Sequence, residues 1–256
     1  VLLAFIWWTS GGRPLSALRT VGSAGVIGGF CLVLAFAGAI YAIQTTTIAN
    51  ALFLFTASPF VAAILGWIIL GERVRPWTWA AIALAVFGMF LMVREGLAMG
   101  ALAGNIAALL SAVGFGAFTV ALRRGRVGDM LPASVLGGVF AIAVAAVILS
   151  AKGTPILPSA WDIGVATALG AVILGLGMTL YTLGSRVIPA ADLTLLSLIE
   201  VLLGPLWVFL VLGETASANT FIGGGVLLMA VALNAVTGAR GRTQVGVAKA
   251  PQPVND

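Results

Sequence analysis

The chain has 256 residues, of which 61% are hydrophobic and only 8% charged, with a formal net charge of +5. Soluble domains of this length carry about 25% charged residues, so there is too little polar surface here to coat a water-soluble globule. With no His and a single Cys31, the chain excludes imidazole metal sites, His-based triads, His proton relays and an internal disulfide.

Apolar segments run over 1–9, 21–43, 47–70, 77–93, 100–122, 131–150, 161–183, 191–212 and 219–237. All but the first reach the roughly 17–25 residues that a helix needs to cross a bilayer. The first, VLLAFIWWT, is too short at about 1.5 Å per residue. No basic stretch precedes it, so it does not read as a signal peptide. It reads as the second half of a span whose start is cut off, in an N-terminally truncated chain. The 33 Gly, many inside the apolar runs, suit close helix packing in lipid. Trp77, Trp79 and Trp161 stand at the starts of spans, as an interfacial aromatic belt requires. AKGTPILPSA, around Pro155, reads as a short external loop. From Gly238 the sequence is polar, aperiodic and Pro-containing, which predicts a disordered tail.

With successive loops placed on alternate sides, Arg13, Arg19, Arg73, Arg75, Arg123, Arg124, Arg126, Arg186, Arg240, Arg242 and Lys249 share one side. Only Arg94 and Lys152 fall on the other. The Arg-rich side is the cytoplasm by the positive-inside rule, which puts the C-terminus there too. The expected location is a plasma or inner cell membrane, crossed many times. Because the basic residues sit in short loops between spans, no nucleic-acid partner is implied.

Two stretches are alike. One is YAIQTTTIANALFLFTASPFVAAILGWIILGERVRPWTW from Tyr41; the other is YTLGSRVIPAADLTLLSLIEVLLGPLWVFLVLGETASANTF from Tyr181. Each has Tyr near the end of a span, a polar link, a long apolar span, then Leu-Gly-Glu at 70–72 and 212–214. An odd number of spans separates them, so they lie inverted relative to each other. Inverted repeats are typical of secondary transporters, which rock two halves around a midplane site. Leu-Gly-Glu also has a local reading. Gly71 and Gly213 can end helices in the left-handed conformation, and Glu72 and Glu214 then stand near the next helix start, where negative charge is favoured.

The spans, the inverted repeat and the paired Leu-Gly-Glu resemble the drug/metabolite transporter superfamily, EamA type. The resemblance covers residues 1–237. It implies an all-α integral membrane fold of ten spans in two inverted five-span halves, with span 1 and part of span 2 missing from this chain. Residues 1–95 would be the incomplete first repeat, 96–237 the second, and 238–256 the disordered cytoplasmic tail. A central cavity would be lined by the first four spans of each half. Val201 departs from the family pattern, which often has Pro after Glu; Pro205 is the residue expected to supply a kink one turn later.

On that layout Thr194, Ser197, Glu200, Val201 and Gly204 share one arc of family span 9. Asn105, Ala112 and Thr119, with Phe115, mark a face of span 6. Ala171, Leu174, Met178, Tyr181 and Ser185 mark one of span 8, and Asn50, Phe53 and Ala57 one of span 4. The substrate-cavity candidates are therefore Glu200, Ser197, Thr194, Asn50, Phe53, Asn105, Phe115, Thr119, Met178 and Tyr181. Helix-hinge candidates are Pro59, Pro205 and Gly204. Ordinary helix packing explains aromatics and Met equally well, and buried Asn can bond across helices structurally. Glu200 lies too deep to reach the interface. A carboxyl at that depth is cheaper neutral than charged, which fits both a structural hydrogen bond and a proton-coupling role.

The expected function is export of small metabolites or amino acids by alternating access, with no cofactor and no enzymatic activity. Proton antiport and passive facilitation both fit, and no nucleotide-binding loop is present. The alternatives are multidrug efflux of apolar cations and a non-transporting membrane scaffold. The absence of Arg and Lys within the spans argues against phosphate esters as cargo.

Overall fold

The computed structural model describes residues 22–98, 101–125, 131–151, 153, 159–177, 180, 203–204, 206–213 and 217–247. Their helices run in this order: α1 Gly22–Thr45, α2 Ile48–Phe55, α3 Ser58–Leu70, α4 Pro76–Ala98, α5 Leu102–Arg124, α6 Leu131–Ala151, α7 Ala160–Ala168 and α8 Ala218–Val247. Helix α7 runs on with π winding over Leu169–Leu176, and residues 206–212 are helical as well. Taking α2 and α3 together, 6 spans among the described residues are long and apolar enough to cross a bilayer. Ile27, Phe30 and Ile40 on α1, Phe87 and Phe90 on α4, and Ile142 and Val147 on α6 are exposed. In water such faces would drive aggregation; in lipid they meet acyl chains, while the helices satisfy their own backbone groups.

The helix boundaries follow local chemistry. Thr47 caps α2 by accepting the Asn50 N–H at 3.3 Å. The turn at Thr56 and Ala57 closes with short-range bonds to the Phe53 and Leu54 carbonyls at 3.0 and 3.1 Å. Pro59 follows at once; it has no N–H to give and its ring crowds the carbonyl four residues back. The span is thus two helices rather than one. Gly71 (φ +67°) ends α3 and Gly213 (φ +66°) ends the helical run 206–212, both in the left-handed conformation that Leu-Gly-Glu predicts. The Gly213 N–H bonds the Phe209 carbonyl at 3.0 Å.

Helix α8 continues to Val247, past Gly238. A helix already nucleated in the membrane extends without a new nucleation cost, and Ala239, Arg240, Arg242 and Gln244 are good helix formers.

The chain divides into two compact units, and α1, α5 and the α2–α3 span contribute to both. In the first unit, Leu32, Phe118, Leu122 and Ala133 form a core with Cys31 and Leu136 against it. Glycines let the helices approach. A Cβ on Gly114 would fall 2.6 Å from the Ala35 nitrogen, and beside it Ser111 donates to the Ala35 carbonyl at 2.7 Å. In the second unit α4 packs along α8. A Cβ on Gly88 would lie 2.6 Å from the Gly223 carbonyl oxygen, so both backbones touch without a side chain between them. At one end of this pair Thr78 donates to Asn234 Oδ1 at 2.8 Å, and Arg75 donates to the Thr237 carbonyl at 3.2 Å.

Candidate functional site

Two amides predicted separately, one on α2 and one on α5, meet. Asn50 is 4% exposed and Asn105 fully buried. The Asn50 Nδ2 donates to Asn105 Oδ1. Thr46, in the link before α2, donates its hydroxyl to the same oxygen at 3.0 Å and accepts from Asn50 Nδ2 at 3.4 Å. The link seats closely on the start of α5 because residue 104 is Gly. A Cβ there would lie 2.8 Å from the Thr45 carbonyl carbon, the Thr45 hydroxyl oxygen and the Thr46 Cβ.

The cluster is not fully satisfied. Asn50 Oδ1 and Asn105 Nδ2 are buried with no partner. Two paired amides have more donors and acceptors than one contact uses. Whichever amide donates, one carbonyl and one NH2 are left over. Each such group costs about 1–3 kcal/mol while buried and unbonded.

The other candidates separate. Phe53 is buried, with its ring on Gly224 of α8, where a Cβ would come within 2.6 Å of the ring. It therefore takes part in helix packing. Phe115 is exposed and tilts against Phe118 at 6.0 Å between ring centroids. Thr119 donates to the Phe115 carbonyl at 3.1 Å, so its hydroxyl is used within its own helix. Gly204 stands beside α2: a Cβ would fall 2.7 Å from Leu52 Cδ1. Pro59 sits at the break between α2 and α3. Thr194, Ser197, Glu200, Met178, Tyr181 and Pro205 lie outside the described residues. Of the face read on family span 8, Met178, Tyr181 and Ser185 lie outside the described residues, and the backbone over Leu169–Leu176 is wound as a π-helix.

Three contributors were missed. Thr46 lies in the link before α2 and Gly104 in the first turn of α5, and only the Thr45-Thr46-Thr47 and Gly104-Asn105 sequences signal them. The third is an ion pair. Glu72 does not serve the start of α4, as its position after Gly71 suggested; it pairs with Arg123 in the last turn of α5. The chain reversal at Gly71 turns Glu72 back over α3, with its N–H on the Gly66 carbonyl at 3.2 Å. The carboxylate then lies above Gly66, where a Cβ would be 3.0 Å from Oε2.

Apolar membrane-length helices, one span of them interrupted ahead of Pro59, with neutral amides sequestered between that span and α5, define a multi-pass integral membrane protein. The EamA-like transporter family matches residues 1–94 and 102–236, and the chain belongs to that family. It is a membrane transporter of the drug/metabolite type, in a family that is not one of enzymes. A solved structure described only as "Crystal structure of protein" is similar in fold, at 19% identity and a TM-score of 0.52 over 93% of each chain. No curated protein matches significantly.

Proposed function

We propose that the chain is a secondary transporter that exports small metabolites or amino acids from the cytoplasm, as two inverted five-span halves in alternating access. The observation that carries this reading is the interruption of one membrane span between α2 and α3. Transporters of this kind form their sites on discontinuous helices at the repeat interface. The chemistry of the interior supports a neutral or amphipathic cargo. Among the described residues the buried polar side chains are Asn50, Thr56, Asn105, Ser111 and Thr220, none of them ionisable. A phosphate ester would need a cation there. Contacts at the helix ends agree with the alternation of loops: Glu72 with Arg123 joins two ends assigned to the cytoplasm, and so does Arg75 with Thr237.

The test is counterflow of radiolabelled neutral amino acids in proteoliposomes, with and without an imposed proton gradient. Saturable uptake above empty liposomes is expected. Uptake indistinguishable from empty liposomes, while quaternary amines are moved, would replace this cargo class with apolar cations. If Glu200 carries the coupling proton, Glu200→Gln leaves counterflow intact and removes the response to the gradient. A wild-type protein with no such response makes the carrier passive.

A further inference from the structure

We propose that Thr46, Asn50 and Asn105 form a gate, a polar clasp that opens toward the membrane face from which α2 and α5 begin. This rests on the transporter reading above. The clasp joins the first turns of two helices, Ile48–Phe55 and Leu102–Arg124, that belong to different halves of the proposed repeat. It sits at their ends, so a small separation brings its groups to water rather than to lipid.

Its bonding is suited to opening. A fully satisfied buried network resists separation, because every bond broken must be replaced. Here the closed state already leaves Asn50 Oδ1 and Asn105 Nδ2 without partners. On opening, water reaches those two atoms together with the Asn–Asn and Thr–Asn groups being parted. The gain at the orphaned pair offsets much of the loss at the bonded one. A neutral clasp also leaves no buried charge behind.

The surroundings supply the freedom to move. Helix α2 is only 8 residues long, and the turn at Thr56 and Ala57 ahead of Pro59 disconnects its hydrogen-bond ladder from that of α3. Gly104 sets how tightly the clasp shuts, since a side chain there would strike the backbone at Thr45. The Glu72–Arg123 pair at the far end of α5 differs in kind. It is already half in water, so parting it releases no trapped polar group.

The test uses the full chain with Cys31→Ser and Asn105→Cys, probed in right-side-out and inverted vesicles with a membrane-impermeant maleimide. Labelling is expected from the face bearing residues 46–47 only. Adding Gly104→Val should quicken it by about tenfold, the effect of overpacking the closed contact. No labelling from either face even with Gly104→Val, or equal labelling from both, would overturn the gate. Thr46→Cys gives the same readout where Asn105→Cys does not assemble. Separately, an Asn50→Cys/Asn105→Cys disulfide should stop counterflow, and reductant should restore it. Counterflow that persists through the disulfide sinks the gate and leaves the carrier standing. No counterflow in the unsubstituted chain sinks the cargo reading and leaves the labelling result to judge the gate.

Discussion

Helix α5 is held at both ends, and the two ends use opposite chemistry. At its start, buried neutral amides join it to α2; at its finish, Arg123 and Glu72, 48% and 40% exposed, join it to the end of α3. The difference follows from solvent. A charge out of water costs more than a single partner returns, so the ion pair belongs where water screens it. An amide is cheap enough to bury but expensive to leave unpaired. The buried end should therefore respond strongly to losing one partner, and the exposed end weakly to losing either.

The largest effect is expected from breaking the amide pair on one side only. Asn105→Ala should cost about 1–3 kcal/mol, because Asn50 is then buried with no partner on α5. Asn50→Leu/Asn105→Leu, which removes both polar groups at similar volume, should cost clearly less. Reversible unfolding in mixed detergent measures both. A double variant less stable than Asn105→Ala would mean that volume, not unpaired polarity, governs this end.

A pair of glycine substitutions sharpens the contrast. Gly104→Ala forces a Cβ to 2.8 Å from backbone at Thr45. The overpacking cost of about 1–3 kcal/mol should exceed the ~1 kcal/mol that Ala gains over Gly in a helix. Gly66→Ala meets the carboxylate tip of Glu72 at 3.0 Å and the Arg123 guanidinium at an ordinary 3.7 Å, and these flexible side chains can yield. That variant should be neutral or slightly stabilising. The same unfolding assay decides, and equal losses at the two sites would erase the distinction.

The smallest effect belongs to the ion pair. Glu72→Gln should cost less than about 1 kcal/mol, and the loss should vanish in molar salt, where the Debye length falls to about 3 Å. A larger, salt-independent loss would show that the pair is held away from water.

Much of this was legible in the sequence, for identifiable reasons. Span limits could be read because length and apolarity are one-dimensional; the expected 100–122 is observed as Leu102–Arg124. Gly71 and Gly213 could be read because a left-handed helix end needs glycine locally. Asn50 and Asn105 were each singled out, but their meeting is a tertiary fact, and helical spacing on one strand of sequence says nothing about the neighbour. The same gap explains Phe53, whose partner is Gly224, and Glu72, whose partner stands 51 residues away. On family span 8 the spacing was read with α winding, whereas the backbone over Leu169–Leu176 is π-wound.

The buried amides, rather than the exposed charges, should hold α5 to its neighbours. A double-mutant cycle at each end, run in bicelles at low and high salt, measures this directly. The prediction is a salt-independent coupling between Asn50 and Asn105, of the ~0.6–1.7 kcal/mol found for hydrogen bonds between membrane helices. The coupling between Glu72 and Arg123 should be smaller and lost in high salt. A salt-independent Glu72–Arg123 coupling that exceeds the amide coupling would contradict the account.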